Sequence, residues 1–436
     1  MEVCFSFGRC GISIALPPGP KYELVEARTA SALENVQDEL ESALDNPIGS
    51  DPLSRVAINR NSAAISVCDI TRPAPNSLTL PPLLRRLHDA GIQRDGITIL
   101  IATGLHRGAT PGEIRQILGS EIAAKYRVVN HDARAVADHR WLGRTGRGTP
   151  VLIDERFISA DLHITLGFIE QHLMLGFSGG RKLVAPGLAA EETIKVIHSP
   201  RFMREPMATE GSTTRNPLHE ELLEIARMGR HDYILDTTLT RDRKISGIFT
   251  GSPTEAHKAG VDSLRNTSLE RISGLADAVI TSAAGFPLDL TFYQTIKGIT
   301  AAQHLVKPGG RILILGECAE GVGSPEFAKK LRAFTGFTAY LEEILDAEVE
   351  VDQWQLEKLS LVGQRYNLFF FTPGVSPNQL GALNGRCFTN VNQAVASLVE
   401  GLPASARVLL VPDGPYVYAR PGRNSNDPVA CEDPNG

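Results

Sequence analysis

The chain has 436 residues, with 44 Lys plus Arg against 50 Asp plus Glu, a formal net charge of −6, 42% hydrophobic residues and 22% charged ones. That length accommodates two or three domains with sizeable cores, and the composition excludes a disordered chain, a fibrous repeat, and general basic attraction to nucleic acid or an anionic membrane. Its 40 Gly and 27 Pro imply many shaped turns.

Residues 1–18 carry Glu2, no basic stretch ahead of an apolar one, and glycines at 8 and 11, so no export signal is read there. The longest apolar runs, 97–103 and 311–316, are strand-sized and too short to span a bilayer. Six scattered cysteines without a C-x-x-C pair give neither a zinc site nor a disulfide framework, and a reducing cytoplasm is expected.

Apolar runs at 63–70, 96–104, 126–132 and 160–168 predict buried parallel strands, and helical periodicity predicts helices at 81–91, 111–119 and 217–228. Residues 235–266 read as a hairpin followed by a helix. Further strands at 276–283, 310–318 and 406–414 with a helix at 325–334 make a second alternating set. The fold class is therefore α/β, with two domains and mainly parallel sheets. The spacing places one domain over 1–270, a second over 271–419, and a disordered tail over 420–436, where apolar residues almost vanish.

Ligand crevices in open α/β sheets lie beyond the carboxyl ends of the strands. Four such places hold reactive side chains. The first strand ends in CDITRPAPN, whose Arg72 suits a carboxylate or phosphate, or else pairs with Asp69 to cap the strand. The second ends in ATGLHRG, placing His106 in a glycine-flanked turn, as a cleft imidazole or a solvated one. After the third come His172 and the run GFSGGRKLVAPG. There Gly179, Gly180, Arg181 and Lys182 combine small residues with cations, the chemistry of a phosphate cradle. Lys182 reads as a counter-charge or as a covalent attachment point. His198 then closes a helix over 189–197, as a placed ring or simply as a cation at the helix end. The fourth place, FPLDLTFYQTIKG, sets Tyr293 and Lys297 on one helical face with Gln294 beside them, Lys297 being an anion clamp or an exposed helix lysine. His163, inside the third strand, reads as structural. The sequence lacks H-E-x-x-H, a Walker A loop, G-x-G-x-x-G after a strand, and G-x-S-x-G, so zinc protease, P-loop, dinucleotide-binding and nucleophile-elbow readings all fail.

Taken together, D-I-T-R-P (69–73), T-G-L-H-R (103–107), E-Q-H (170–172), G-F-S-G-G-R-K-L-V-A-P-G (176–187), I-H-S-P (197–200), T-R-N-P-L-H-E-E (214–221) and F-P-L-D-L-T-F-Y-Q-T-I-K-G (286–298) resemble, in order, the nickel-dependent lactate racemase family. The resemblance implies a two-domain enzyme with its active site in the interdomain cleft. It implies a nickel-pincer nucleotide, a pyridinium mononucleotide with two sulfur-bearing carboxylate derivatives, tethered to Lys182 as a thioamide. His198 would complete the nickel site, and His106 and His172 would be the acid/base pair. Arg72 and Lys297 would bind the substrate carboxylate, with Asp69, Tyr293, Gln294 and Trp354 lining the site. Hydride passing reversibly from the substrate Cα through a 2-keto acid would racemise or epimerise a 2-hydroxy acid, and cofactor-maturation proteins and a nickel source would be partners. Phe286 and Leu288 depart from the family's G-Y-P-x-D form, so lactate, malate, aryl-lactates and aldonates all stay open as substrates. Two alternatives are an inactive cofactor or nucleotide carrier of the same fold, and a metal-independent sugar-acid epimerase or dehydratase.

Overall fold

A computed structural model describes residues 2–422, which divide into two compact units. The first comprises 29–197 and 207–267. Its sheet has six strands in the spatial order Ile245–Gly251, Tyr233–Leu239, Leu162–Phe168, Ala63–Cys68, Ile97–Ala102, Arg127–Asn130. Only the hairpin pair Tyr233–Leu239 and Ile245–Gly251 is antiparallel. Every residue of Ala63–Cys68 and of Leu162–Phe168 is buried, which is why these strands read as continuous rather than alternating apolar runs. The helix expected from 81 starts at Asn76, with Pro81 and Pro82 inside it, because Leu80 is needed alongside Leu83, Leu84 and Leu87 against Ile65, Val67, Ile99 and Ile101. His163 is structural as expected: it is buried against Phe157, with Nδ1 2.6 Å from Asp232 Oδ2. The chain builds outward from Ala63–Cys68 to Arg127–Asn130, then returns to lay Leu162–Phe168 on the other side. Chain direction across the sheet thus reverses between Ala63–Cys68 and Leu162–Phe168, where an open sheet leaves a crevice at its carboxyl edge.

The second unit comprises residues up to 28, 198–206, and 268 onward. Its sheet runs Cys387–Phe388, Asn367–Phe371, Val306–Leu315, Ala276–Ser282, Arg407–Val411, Lys21–Leu24, all neighbours parallel. The expected domains, 1–270 and 271–419, differ from this division in that residues up to 28 and 198–206 group with those from 268 onward. Lys21–Leu24 pairs with Arg407–Val411, so the chain's beginning belongs to the second unit's sheet, and 198–206 belongs there too. As a short edge strand with Leu24 half exposed, Lys21–Leu24 lacks the apolar run that betrays a buried strand. Arg420 and Pro421 were expected in the disordered tail, yet they end the strand Tyr418–Pro421, paired with Leu269–Ile272; the rest of that expected segment, 423–436, lies outside the described residues. Helix Gln353–Gly363 was not foreseen: it buries Gln353, Gln355, Glu357 and Lys358 together with Leu356 and Leu359, which erases the apolar periodicity. Among the described residues no helix is long and apolar enough to cross a membrane.

Candidate active site

The first unit's reversal point gathers side chains from three strand ends. Asp69 follows Ala63–Cys68 directly and is buried. The Thr71 hydroxyl donates to its Oδ1 at 2.6 Å, and His106 Nδ1 lies 2.7 Å from its Oδ2. Burial alone would raise this carboxyl, but the hydrogen bonds from His106 and Thr71 and the charge of Arg72 hold it at about 2. A carboxylate only accepts, so His106 Nδ1 carries a hydrogen, and in the neutral form of the ring the lone pair is on Nε2. The His106 turn is itself pinned: its N–H donates to the Thr103 carbonyl at 2.9 Å and the Gly104 N–H to the Gly187 carbonyl at 3.0 Å.

The other strand end supplies Glu170 and His172. Arg72 Nε stands 3.8 Å from Glu170 Oε1, so one carboxylate beside this guanidinium comes from across the reversal point, and the other, Asp69, from three residues earlier on the same strand end. His172 sits on a two-residue ladder with Gly176–Phe177, and the Leu175 N–H donates to its Nδ1 at 3.4 Å. This long bond leaves the hydrogen of a neutral imidazole on Nε2, the reverse of His106. Lys182 lies on the turn Gly180–Leu183, and its amine is brought down to about 7 by burial and by Arg72, against the opposing pull of Glu170 and Asp69.

Arg181 and the two glycines do not form the expected cradle. The Arg181 side chain is fully buried, with Nη2 donating to the carbonyls of Leu175 (3.2 Å) and Phe177 (2.9 Å) and Nη1 2.8 Å from His257 Nε2. Adjacent residues on a tight turn point to different sides, so Arg181 braces the loop from within while Lys182 faces the crevice. Gly179 (φ +85°) and Gly180 (φ +45°) lie over the buried Asp236, and a Cβ on Gly179 would come within 2.6 Å of Asp236 Oδ2. The Asp236 carboxyl faces the amides of Gly180 and Gly167 without closing a bond of ordinary geometry, and burial pushes it up to about 7 despite Arg181. The loop is thus closed around an internal carboxyl. Arg181→Met leaves the Leu175 and Phe177 carbonyls unmatched, and denaturant unfolding is expected to show a loss of roughly 1.5–3 kcal/mol.

In the second unit Thr291 caps helix Phe292–Ala302, accepting from the Gln294 N–H, and this helix carries Tyr293, Gln294 and Lys297. The Trp354 indole N–H donates to the Tyr293 hydroxyl at 3.1 Å, and the His198 ring packs against Trp354 with centroids 4.5 Å apart and the planes tilted by 37°. Helix Gln353–Gly363 grips the same segment further on: Glu357 accepts from Arg204 Nε at 2.8 Å and Lys358 Nζ donates to the Met203 carbonyl at 2.8 Å. Gln294 Oε1 is buried without a hydrogen-bond partner, and Lys297 is half-buried on the face of Tyr293. Among the described residues no group of three or more His, Cys, Asp or Glu is placed to hold a metal by itself. Sequence reasoning passed over Thr71, Glu170 and Asp236 as site residues. Glu170 had a signal, two residues past a buried strand and two before His172, whereas Asp236 looks like any strand residue until the glycines above it are placed.

Residues 7–211 match the family model of the lactate racemase N-terminal domain, and residues 272–418 that of the lactate racemase C-terminal domain. The chain is 32% identical over 382 residues to the lactate racemase of Lactiplantibacillus plantarum, covering 87% of this chain and 89% of the relative. It is 29% identical over 419 residues to that of Thermoanaerobacterium thermosaccharolyticum, covering 95% and 98%. The structure of the latter organism's lactate racemase apoprotein superposes with a TM-score of 0.87 at 28% identity, covering 96% of this chain and all of that one. A Thermotoga maritima protein, 15% identical with a TM-score of 0.68 over 88% of this chain and 98% of its own, shares the fold. With the N- and C-terminal family models matched in order and relatives about 30% identical over most of its length, the chain belongs to the lactate racemase family.

Proposed function

We propose that this protein is a 2-hydroxy acid racemase or epimerase, with lactate the first substrate to test because the relatives bear that name. The observation that carries the reading is a pair of imidazoles at two strand ends of one unit, His106 held through Nδ1 by Asp69 and His172 approached at Nδ1 by the Leu175 N–H. For one enantiomer, His106 Nε2 takes the hydroxyl proton as the 2-keto acid forms. The planar keto acid turns, and His172 Nε2 returns a proton to the oxygen when hydrogen is delivered to the other face. Imidazole suits both roles near neutral pH. Arg72 and Lys297 hold the carboxylate while the intermediate turns.

The residues present fit a lysine-tethered nickel-pincer nucleotide furnished by maturation proteins and a nickel source. A Lys182 amine lowered toward neutrality by burial and by Arg72 can be acylated, and His198 offers one imidazole to a metal whose other donors arrive with the nucleotide. When bound, such a group supplies an acceptor for the Cα hydrogen as hydride, so no dianion has to form beside the carboxylate. The cytoplasm suits this chemistry, and the five cysteines among the described residues are unpaired.

Matured protein offered a panel of enantiopure 2-hydroxy acids should interconvert at least one of them by chiral chromatography, with Cα deuterium retained in the product. No interconversion by protein that carries the adduct would make it a carrier, and full exchange of the label with solvent would point to proton abstraction. Arg72→Ala and Lys297→Ala should each raise KM roughly tenfold to hundredfold, more than they lower kcat, as loss of a charge-assisted contact predicts.

A further inference from the structure

Glu170 has no part in the reading above, yet its backbone is fixed in place beside Arg72. Its N–H donates to the Ser178 hydroxyl at 2.9 Å and its carbonyl accepts from the Ser178 N–H at 2.8 Å, so the backbone is held on both sides. Its side chain is 27% exposed and that of Arg72, 3.8 Å away, 17% exposed, which leaves water little room to screen the pair. Four groups bear on Lys182 from two strand ends: Cys68, Asp69 and Arg72 at the end of Ala63–Cys68, and Glu170 beyond Leu162–Phe168. Arg72 disfavours a protonated Lys182, and Glu170 is the strongest of the groups that favour it. Two cationic side chains packed into one crevice without an intervening carboxylate would repel each other, and the flexible lysine would give way first.

We propose that Glu170 is the positioning residue of this cation pair, drawing the Arg72 guanidinium toward itself and thereby setting how readily the Lys182 amine reacts as a nucleophile. The idea deepens the Lys182 reading, but its test needs no cofactor. Brief acetylation of the unmatured protein with acetic anhydride, from mildly acid to mildly alkaline pH, is followed by peptide mass spectrometry at Lys182, with the exposed Lys258 as internal standard. Glu170→Gln removes the charge that favours the protonated amine. The labelling midpoint of Lys182 should therefore move to lower pH by about half a unit to one unit, giving roughly three- to tenfold faster labelling on the acid side, well below the midpoint, and less than about twofold at neutrality. Glu170→Asp keeps the charge at shorter reach and should shift the midpoint less in the same direction, which also covers a Gln variant that does not fold. Arg72→Met should shift it upward. An unchanged or raised midpoint in Glu170→Gln, with Lys258 labelling constant, overturns the proposal, as does an Asp variant that shifts as far as Gln. A purely structural Glu170 would alter stability without this ordered set of shifts. If the shifts appear while matured protein carries no adduct, the cofactor reading fails and the role of Glu170 stands.

Discussion

Lys182→Ala, produced together with the maturation proteins, is expected to return the mass of the bare chain, while the wild type gains a covalent adduct localised to the peptide containing Lys182. Racemase activity should vanish with the adduct, and Lys182→Arg should behave in the same way. Arginine keeps a cation in the crevice but has no amine that can be acylated at neutral pH, so the pair separates attachment from mere counter-charge. The prediction follows from a lysine whose amine is brought to about 7 by burial and by Arg72, in a turn that leaves it facing the crevice while Arg181 faces the interior. An adduct that persists in the alanine variant, or activity that survives without one, would end the assignment.

Asp69→Asn should lower kcat by about two to four powers of ten while leaving the crevice nearly isosteric. The asparagine amide can donate to His106 Nδ1, which moves the ring hydrogen to Nε2 and turns the starting base into an acid. His106→Gln should show a loss of the same order. Because the enantiomers of a free 2-hydroxy acid are equal in energy, kcat/KM must fall by the same factor from either one, and polarimetry started from each enantiomer checks this. Asp69 also predicts a pH effect on stability. Its carboxyl is lowered from 3.8 to about 2 on folding, so between these values the folded chain binds fewer protons than the unfolded one. The contribution, of order 2 kcal/mol, is complete above the ordinary aspartate value and is lost as pH falls through about 2. Asp69→Asn should flatten that part of the acid limb in denaturant midpoints, and an unaltered slope would contradict the burial-plus-bonding account.

What could be read in the sequence follows the physical origin of each signal. Strands such as Ala63–Cys68 and Ala276–Ser282, covered on both faces, announce themselves as unbroken apolar runs. The edge strand Lys21–Leu24 and the polar, buried helix Gln353–Gly363 carry no such periodicity, and their places are set by tertiary partners far along the chain. The same split holds in the candidate site. Residues at strand ends were legible because topology puts ligands there, whereas their pairings were not: Asp69 finds His106, 37 positions away, as its imidazole partner, and Glu170 reaches Arg72. Arg181 misled because neighbours in sequence look like neighbours in space, and a tight turn sends adjacent side chains to opposite sides.

The strand Lys21–Leu24 also governs how this protein is made. Since it hydrogen-bonds to Arg407–Val411, nearly four hundred residues of synthesis separate two adjacent strands of one sheet, and everything from 29 to 197 is translated in between. The first unit can collapse on the ribosome, while the second waits with an unfilled sheet edge until its last strand emerges. A fragment starting at 268 therefore lacks a structural strand however well its boundary is trimmed, and obtaining that unit alone requires supplying both residues 1–28 and the segment 198–206.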